Sequence, residues 1–248
     1  MYRFMLLVGT GILCWRPAAA QEALPKAEVI LEKFIEVTGG KPAYQKLHNQ
    51  VFTGRMEFVG KGIKGTISAY KAEPDKSYSA IDLEGVGKIE EGTNGGVAWT
   101  RSALQGPRLK EGVEKAQSLR AAAFNAELNW RKFYPKAETA GVETVGDQEC
   151  YKVVLTPSEG EPQTRYFDKK TSLLVKVSMT ISNPMGQIGA ETFFSDYKPV
   201  NNILVPHKLT QKAMGQEFAI VVESLRFNAD IPKDRFELPE DIKALMKK

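Results

Sequence analysis

Residues 165–206 read RYFDKKTSLLVKVSMTISNPMGQIGAETFFSDYKPVNNILVP, three β-runs joined by two turns and a polar link. Leu173, Val175, Val177, Met179 and Ile181 fall on alternate positions, with Lys176, Ser178 and Thr180 between them. A period of two puts one apolar and one polar face on a single strand. Asp168-Lys169-Lys170-Thr171 joins this run to Arg165-Tyr166-Phe167, and Asn183-Pro184-Met185-Gly186 joins it to the run 188–197. Asn, Asp, Pro and Gly tolerate or preset turn dihedrals, so both links read as turns. The stretch predicts a wide antiparallel sheet with one apolar face. What covers that face, protein or ligand, is the functional question.

Working outward, the sequence before this stretch adds more hairpins. Strands are expected over 51–59, 63–72, 76–83, 88–92 and 97–100, with Gly60-Lys61-Gly62, Glu73-Pro74-Asp75, Gly85-Val86-Gly87 and Thr93-Asn94-Gly95-Gly96 between them. Strands resume over 137–145 and 149–155. After the stretch, 203–212 and 217–227 form a further hairpin through Ala213-Met214-Gly215, and the tail 232–239 is extended before a short basic helix. Two helical patterns interrupt the strands. Leu24, Ala27, Ile30, Leu31, Phe34, Ile35 and Thr38 make an apolar stripe ended by Gly39-Gly40, with a second short helix over 42–48. Residues 110–127 are rich in Ala, Leu, Glu, Lys and Arg and contain no Pro, which predicts one helix. The aromatic run Asn129 to Tyr134 beside it reads as a plug or a packed satellite core, with packed core favoured.

Composition is ordinary for a globular chain: 248 residues, 42% hydrophobic and 26% charged. Tyr2-Arg3, an apolar run over 4–15 and Ala18-Ala19-Ala20 make residues 1–20 a secretory signal peptide, with a mature single domain over 21–248. The apolar run is too short for the ~20 residues a membrane span needs. Removing Arg3 and Arg16 with that leader lowers the net charge from +4 to +2, which gives no case for nucleic acid. Cys150 is then the one cysteine left, inside a strand, where a packed small hydrophobe is expected rather than a nucleophile.

The sequence is poor in catalytic chemistry. His48 and His207 are the two histidines, and neither sits in a His-Glu-x-x-His or Gly-x-Ser-x-Gly pattern, so both are expected at surface or edge positions. No catalytic residue, metal site or cofactor is expected. Ligand binding is instead placed on the apolar strand face and its aromatics: Phe52, Met56, Phe58, Trp99, Trp130, Phe133, Val175, Val177, Met179, Phe193 and Phe218. Ordinary core under the helices is the competing account for any one of them. For the set, so wide a one-sided sheet leaves a cavity, because few helices are available to fill it.

Several short motifs, in this order, resemble the LolA/LolB-like lipoprotein-carrier family. Thr93-Asn94-Gly95-Gly96-Val97-Ala98-Trp99 is similar to its Asp-Gly-Lys-x-Leu-Trp turn, and Leu155-Thr156-Pro157 precedes the central hairpin. Thr192-Phe193-Phe194-Ser195-Asp196-Tyr197 followed by Ile203-Leu204-Val205-Pro206 resembles exported proteins of the outer-membrane lipoprotein-sorting type, and Phe236-Glu237-Leu238-Pro239 looks like the closing Phe-x-x-Pro. The resemblance implies an α+β, mostly β fold: a curved antiparallel half-barrel sheet with helices covering its concave face and an apolar cavity between. It implies an exported, periplasmic, non-catalytic carrier or sensor of a lipid or lipoprotein acyl chain, with an envelope protein partner and peripheral membrane contact. A structural or protein-interaction module with a filled core is the alternative. Glu73 stands before Pro74 where the family carries its lid-latching Arg, so no latch residue is carried over.

Overall fold

The apolar stripe over 24–38 forms α1 (Ala27–Val37), which buries Ala27, Ile30, Leu31 and Ile35, in a computed structural model that describes residues 23–247. The leader expected over 1–20 lies outside the described residues. Positive φ at Gly39 and Gly40 turns the chain out of α1 and into the single turn of α2 (Lys41–Tyr44). A meander follows: β1 (Asn49–Phe58), β2 (Lys64–Ala72), β3 (Lys76–Leu83), β4 (Gly87–Asn94), β5 (Val97–Ser102) and β6 (Gly106–Leu109). Then α3 (Gly112–Ala122) and α4 (Trp130–Phe133) carry the chain to the far edge. The second meander runs back through β7 (Lys136–Val145), β8 (Gln148–Thr156), β9 (Gln163–Asp168), β10 (Leu174–Asn183), β11 (Gly186–Val200), β12 (Ile203–Ala213) and β13 (Gln216–Phe227). A terminal α5 (Glu240–Leu245) ends it. None of the described helices is long and apolar enough to cross a membrane.

All 13 strands of the described residues form one antiparallel sheet in the order β6-β5-β4-β3-β2-β1-β13-β12-β11-β10-β9-β8-β7. The two meanders meet where β1 pairs with β13, and β6 and β7 remain as unjoined edges, so the sheet is an open half-barrel. The reach of α3 shows the curl. It touches β4 and β5 on one side and β10 on the other. A flat sheet would set β4 and β10 about 34 Å apart at the usual strand spacing, whereas eleven helical residues span about 16 Å. The sheet must fold up around the helix for both contacts to exist. Close backbone approach accompanies the bend: a Cβ on Gly54 would lie 2.6 Å from the Val221 carbonyl oxygen, and one on Gly65 would run into the Asp82 carbonyl.

Helices cover the inner, concave face. One core joins Ala27, Ile30 and Leu31 of α1 and Trp130 of α4 to Val153, Leu155 and Phe167 of the sheet. A second joins Ile35, Tyr44 and Leu47 to Ile203 and Phe227. The outer face has its own covering at the β2–β5 end, the segment after β13. Asn49 Nδ2 donates to the Ala229 carbonyl, the Arg235 guanidinium lies 4.6 Å from the Tyr70 ring centroid and 5.1 Å from that of Tyr78, Asn94 donates to the Phe236 carbonyl, and α5 reaches β6.

Three features depart from the sequence expectation. Gly106–Leu109 is a strand where none was expected, and it carries Pro107; on an edge strand a missing N–H leaves no neighbour short of a donor. The helix expected over 110–127 ends at Ala122, because Ala123 is extended, Asn125 has φ 50°, and the Phe124 N–H donates to the Pro74 carbonyl instead of continuing the helix. The strict alternation over 173–181 is broken by a bulge: Leu174 pairs with Phe167 but Lys176 pairs with Tyr166, which leaves Val175 as the extra residue.

Candidate functional site

Register assigns the faces. Phe167 and Leu174 pack with α1, so they point inward, and their strand neighbours Tyr166 and Lys176 point outward. Lys176 pairs with Phe193, which also points outward, and Phe194 therefore points inward. From Phe194 a row of paired residues crosses the middle of the inner face: Leu209, Ile220, Met56, Gly65 and Leu83. The adjoining row holds Val177, Phe218 and Phe58, and the two phenylalanine rings meet edge to face with centroids 4.4 Å apart. Phe194, Leu209, Ile220, Phe58, Phe218, Val177 and Met179 are all only half-buried, and none joins the two helix-packed cores. The floor of the hollow is thus an apolar strip with incomplete cover.

The cover is α3, and polar contacts hold it. On the β10 side the Gln117 amide donates to the Thr180 carbonyl at 2.7 Å and accepts from the Ser182 N–H at 3.0 Å. On the other side Lys71 Nζ donates to the Ala121 carbonyl at 2.8 Å, Arg108 grips Glu114 at 2.7 and 2.6 Å, and Lys110 reaches both Ser118 and Glu91. Burial lowers the Lys71 ammonium pKa, with the Glu127 charge opposing. Only Ala122 of α3 is fully buried. Each of these polar contacts replaces one with water, so the net hold on α3 is small per bond. Sequence reasoning missed Lys71, Gln117 and Arg108; single polar residues with partners up to 65 positions away carry no local signal.

Beside α3 lies a cleft of about 1060 Å³. Leu119, Phe124, Leu128 and Phe133 supply its apolar wall, and its rim is ionic with both signs, Arg120 and Lys132 against Glu73 and Glu159. Glu73, at the position where the family latch residue was sought, lies 3.0 Å from His48 Nδ1, both side chains being exposed.

The eleven predicted ligand residues divide. Phe52, Met56, Phe58, Val177, Met179 and Phe218 share the inner face. Trp130 is built into the helix-packed core, and Phe133 packs against that core and borders the cleft. Val175, Phe193 and Trp99 do not line the hollow. The bulge turns Val175 into an outer cluster with Cys150, Tyr166 and Val145, against which Phe193 packs. Trp99 is paired with Gly92 and sits by Tyr78 on the face covered by the C-terminal segment, its ring where any Cβ on Gly92 would fall.

Under that segment Glu90 accepts from Arg101 Nε at 2.6 Å, Lys88 at 2.9 Å and the Tyr78 hydroxyl. Burial by itself would raise its pKa, but these hydrogen bonds and the Arg101 charge hold it down at about 2. Arg101 also reaches Asp241 of α5. Cys150 is wholly buried, and burial pushes its thiol up to about 11, which keeps it a packed hydrophobe. His207 is half-buried within β12, with Nδ1 3.0 Å from the Val205 carbonyl. Among the described residues no three His, Cys, Asp or Glu side chains converge as metal ligands do.

No family model and no curated protein matches the sequence. Solved structures do match in fold. A LolA superfamily protein from Nitrosomonas europaea superposes with a TM-score of 0.57 at 13% identity over 87% of this chain and 99% of the other. A protein of the DUF1329 family from Desulfovibrio piger gives 0.57 at 17% identity over 85% and 97%. A putative outer membrane lipoprotein-sorting protein domain from Vibrio parahaemolyticus gives 0.55 at 14% identity over 88% and 100%. The fold is LolA-like.

Proposed function

We propose that this chain is an exported, non-catalytic carrier or sensor that takes a lipid or lipoprotein acyl chain onto the inner face of its half-barrel, beneath α3. The observation that carries this reading is the half-exposed apolar strip of Val177, Phe194, Leu209, Ile220, Phe58 and Phe218, covered by a helix held through polar contacts. Acyl burial gains about 0.8 kcal/mol per methylene. A smooth aliphatic and aromatic wall supplies that gain without any reacting group. The lipoprotein-sorting domain from Vibrio parahaemolyticus shares the fold and supports the choice of ligand class and of a cell-envelope location. The leader read at residues 1–20 agrees with export.

The test is uptake of a fluorescent fatty acid by the mature protein, with native mass spectrometry of material prepared from a membrane-containing host. Wild type binds, and Phe218→Glu and Met179→Glu each weaken binding about tenfold or more, because a charge on the strip must be desolvated by the ligand, with the melting temperature little changed. A ligand-free protein that takes up no acyl probe overturns the carrier reading in favour of an interaction module.

A further inference from the structure

Five hairpin turns, β1–β2, β3–β4, β5–β6, β10–β11 and β12–β13, share one end of the sheet with the β8–β9 loop (157–162), which is drawn in against α3 where Arg120 donates to the Glu159 carbonyl. Registers fix this: Glu84 N–H donates to the Lys64 carbonyl, Ile89 pairs with Ser102, Val59 N–H donates to the Glu217 carbonyl, and Ala190 pairs with Ala213 at the β12–β13 turn. Each of the five turns presents one large apolar side chain to solvent. These are Val59, Val86, Leu104 (81% exposed), Met185 (75%) and Met214 (69%). The β10–β11 hairpin goes furthest. Residues 186–189 of β11 pair with β10 alone, so this ribbon projects past the β12–β13 turn as two strands. From Val177 to Ala190 the sequence has no charged residue, in a chain that is 26% charged. The five turns themselves carry only Lys61 and Glu84 as charges, one of each sign, and the β8–β9 loop adds Glu159 and Glu161.

We infer that this rim docks on a lipid bilayer, the uncharged β10–β11 ribbon entering the interface with Met185 leading and the other four tips seating around it. Isolated apolar side chains on projecting turns suit insertion among lipid headgroups and acyl ends. An uncharged ribbon on a rim with no excess of positive charge points to apolar insertion and not to attraction by anionic lipid. Backbone groups of residues 186–189 that lack a second strand partner remain at headgroup depth, where water can satisfy them. The inference does not depend on what the hollow binds.

The test is co-sedimentation of the mature protein with phosphatidylcholine vesicles, together with emission from Met185→Trp. Wild type sediments with these zwitterionic vesicles at low and high salt, and Met185→Trp fluorescence shifts to the blue and is quenched by brominated acyl chains. Met185→Glu, and Leu104→Ser with Met214→Ser, lower the partition coefficient about tenfold or more while circular dichroism and melting stay unchanged. Phe218→Glu, on the inner face, loses acyl uptake and still sediments, so the two readings fail separately. No vesicle binding by wild type, binding restricted to anionic vesicles and lost in salt, or equal sedimentation of Met185→Glu overturns the proposal.

Discussion

Glu90 shows how much one residue's role depends on register. Its pairing with Ala80 and Arg101 brings the Tyr78 hydroxyl, Lys88 and Arg101 to a single carboxylate. Replacing it as Glu90→Gln removes the buried charge and one acceptor oxygen and sets an amide NH2 against the Arg101, Lys88 and Tyr78 donors, which costs about 2 kcal/mol, measured by urea unfolding at pH 7. The folded-state pKa of about 2 lies below the ordinary carboxylate value of 4.5, so the contribution is fully present above pH 4.5 and is lost as pH falls through about 2. The wild-type advantage over Glu90→Gln should therefore shrink between those values; a difference that is flat with pH would mean the network does not hold the charge. At this scale the sequence was partly legible. It placed Cys150 inside a strand as packed core, but it assigned Val175 to the hollow because a bulge has no signature in an alternating run. It also gave Trp99 to the ligand face, since alternation says which residues share a face and not which face is inside.

At the scale of elements, hairpins were the most legible feature, because Asn183-Pro184-Met185-Gly186 and Asn94-Gly95-Gly96 carry their own turn chemistry. The elements whose position depends on distant partners were not. The end of α3 is set by the Pro74 carbonyl, and the use of the C-terminal segment as an outer strap depends on Tyr70, Tyr78, Asn94 and Arg101. A mature chain stopped after Asp230 uncovers those rings and Trp99. In a Trp130→Phe background its tryptophan emission should move to the red, and the melting temperature should fall by about 5 °C or more, given ~2 kcal/mol or more of lost burial. Unshifted emission with an unchanged melting temperature would show that the segment covers nothing.

For the whole molecule, the pairing of β1 with β13 decides the architecture. It joins the first and last strands of the chain, across nine register pairs, into the middle of one sheet. Both meanders then share the hollow and the helix that crosses it. Unfolding is expected as one cooperative transition in which circular dichroism, Trp99 emission and Trp130 emission have coincident midpoints. Two separated midpoints would divide the chain into two units.

By itself the sequence determined that the chain alternates apolar and polar residues in hairpins, with two helical interruptions and a greasy strand face, because periodicity and turn chemistry are local properties. Only the tertiary structure decided which face closes inward, where α3 ends, and which apolar residues stay half-exposed. Those outcomes follow from register, from one bulge and from the curl of 13 strands around a helix, and each depends on residues far apart in the chain.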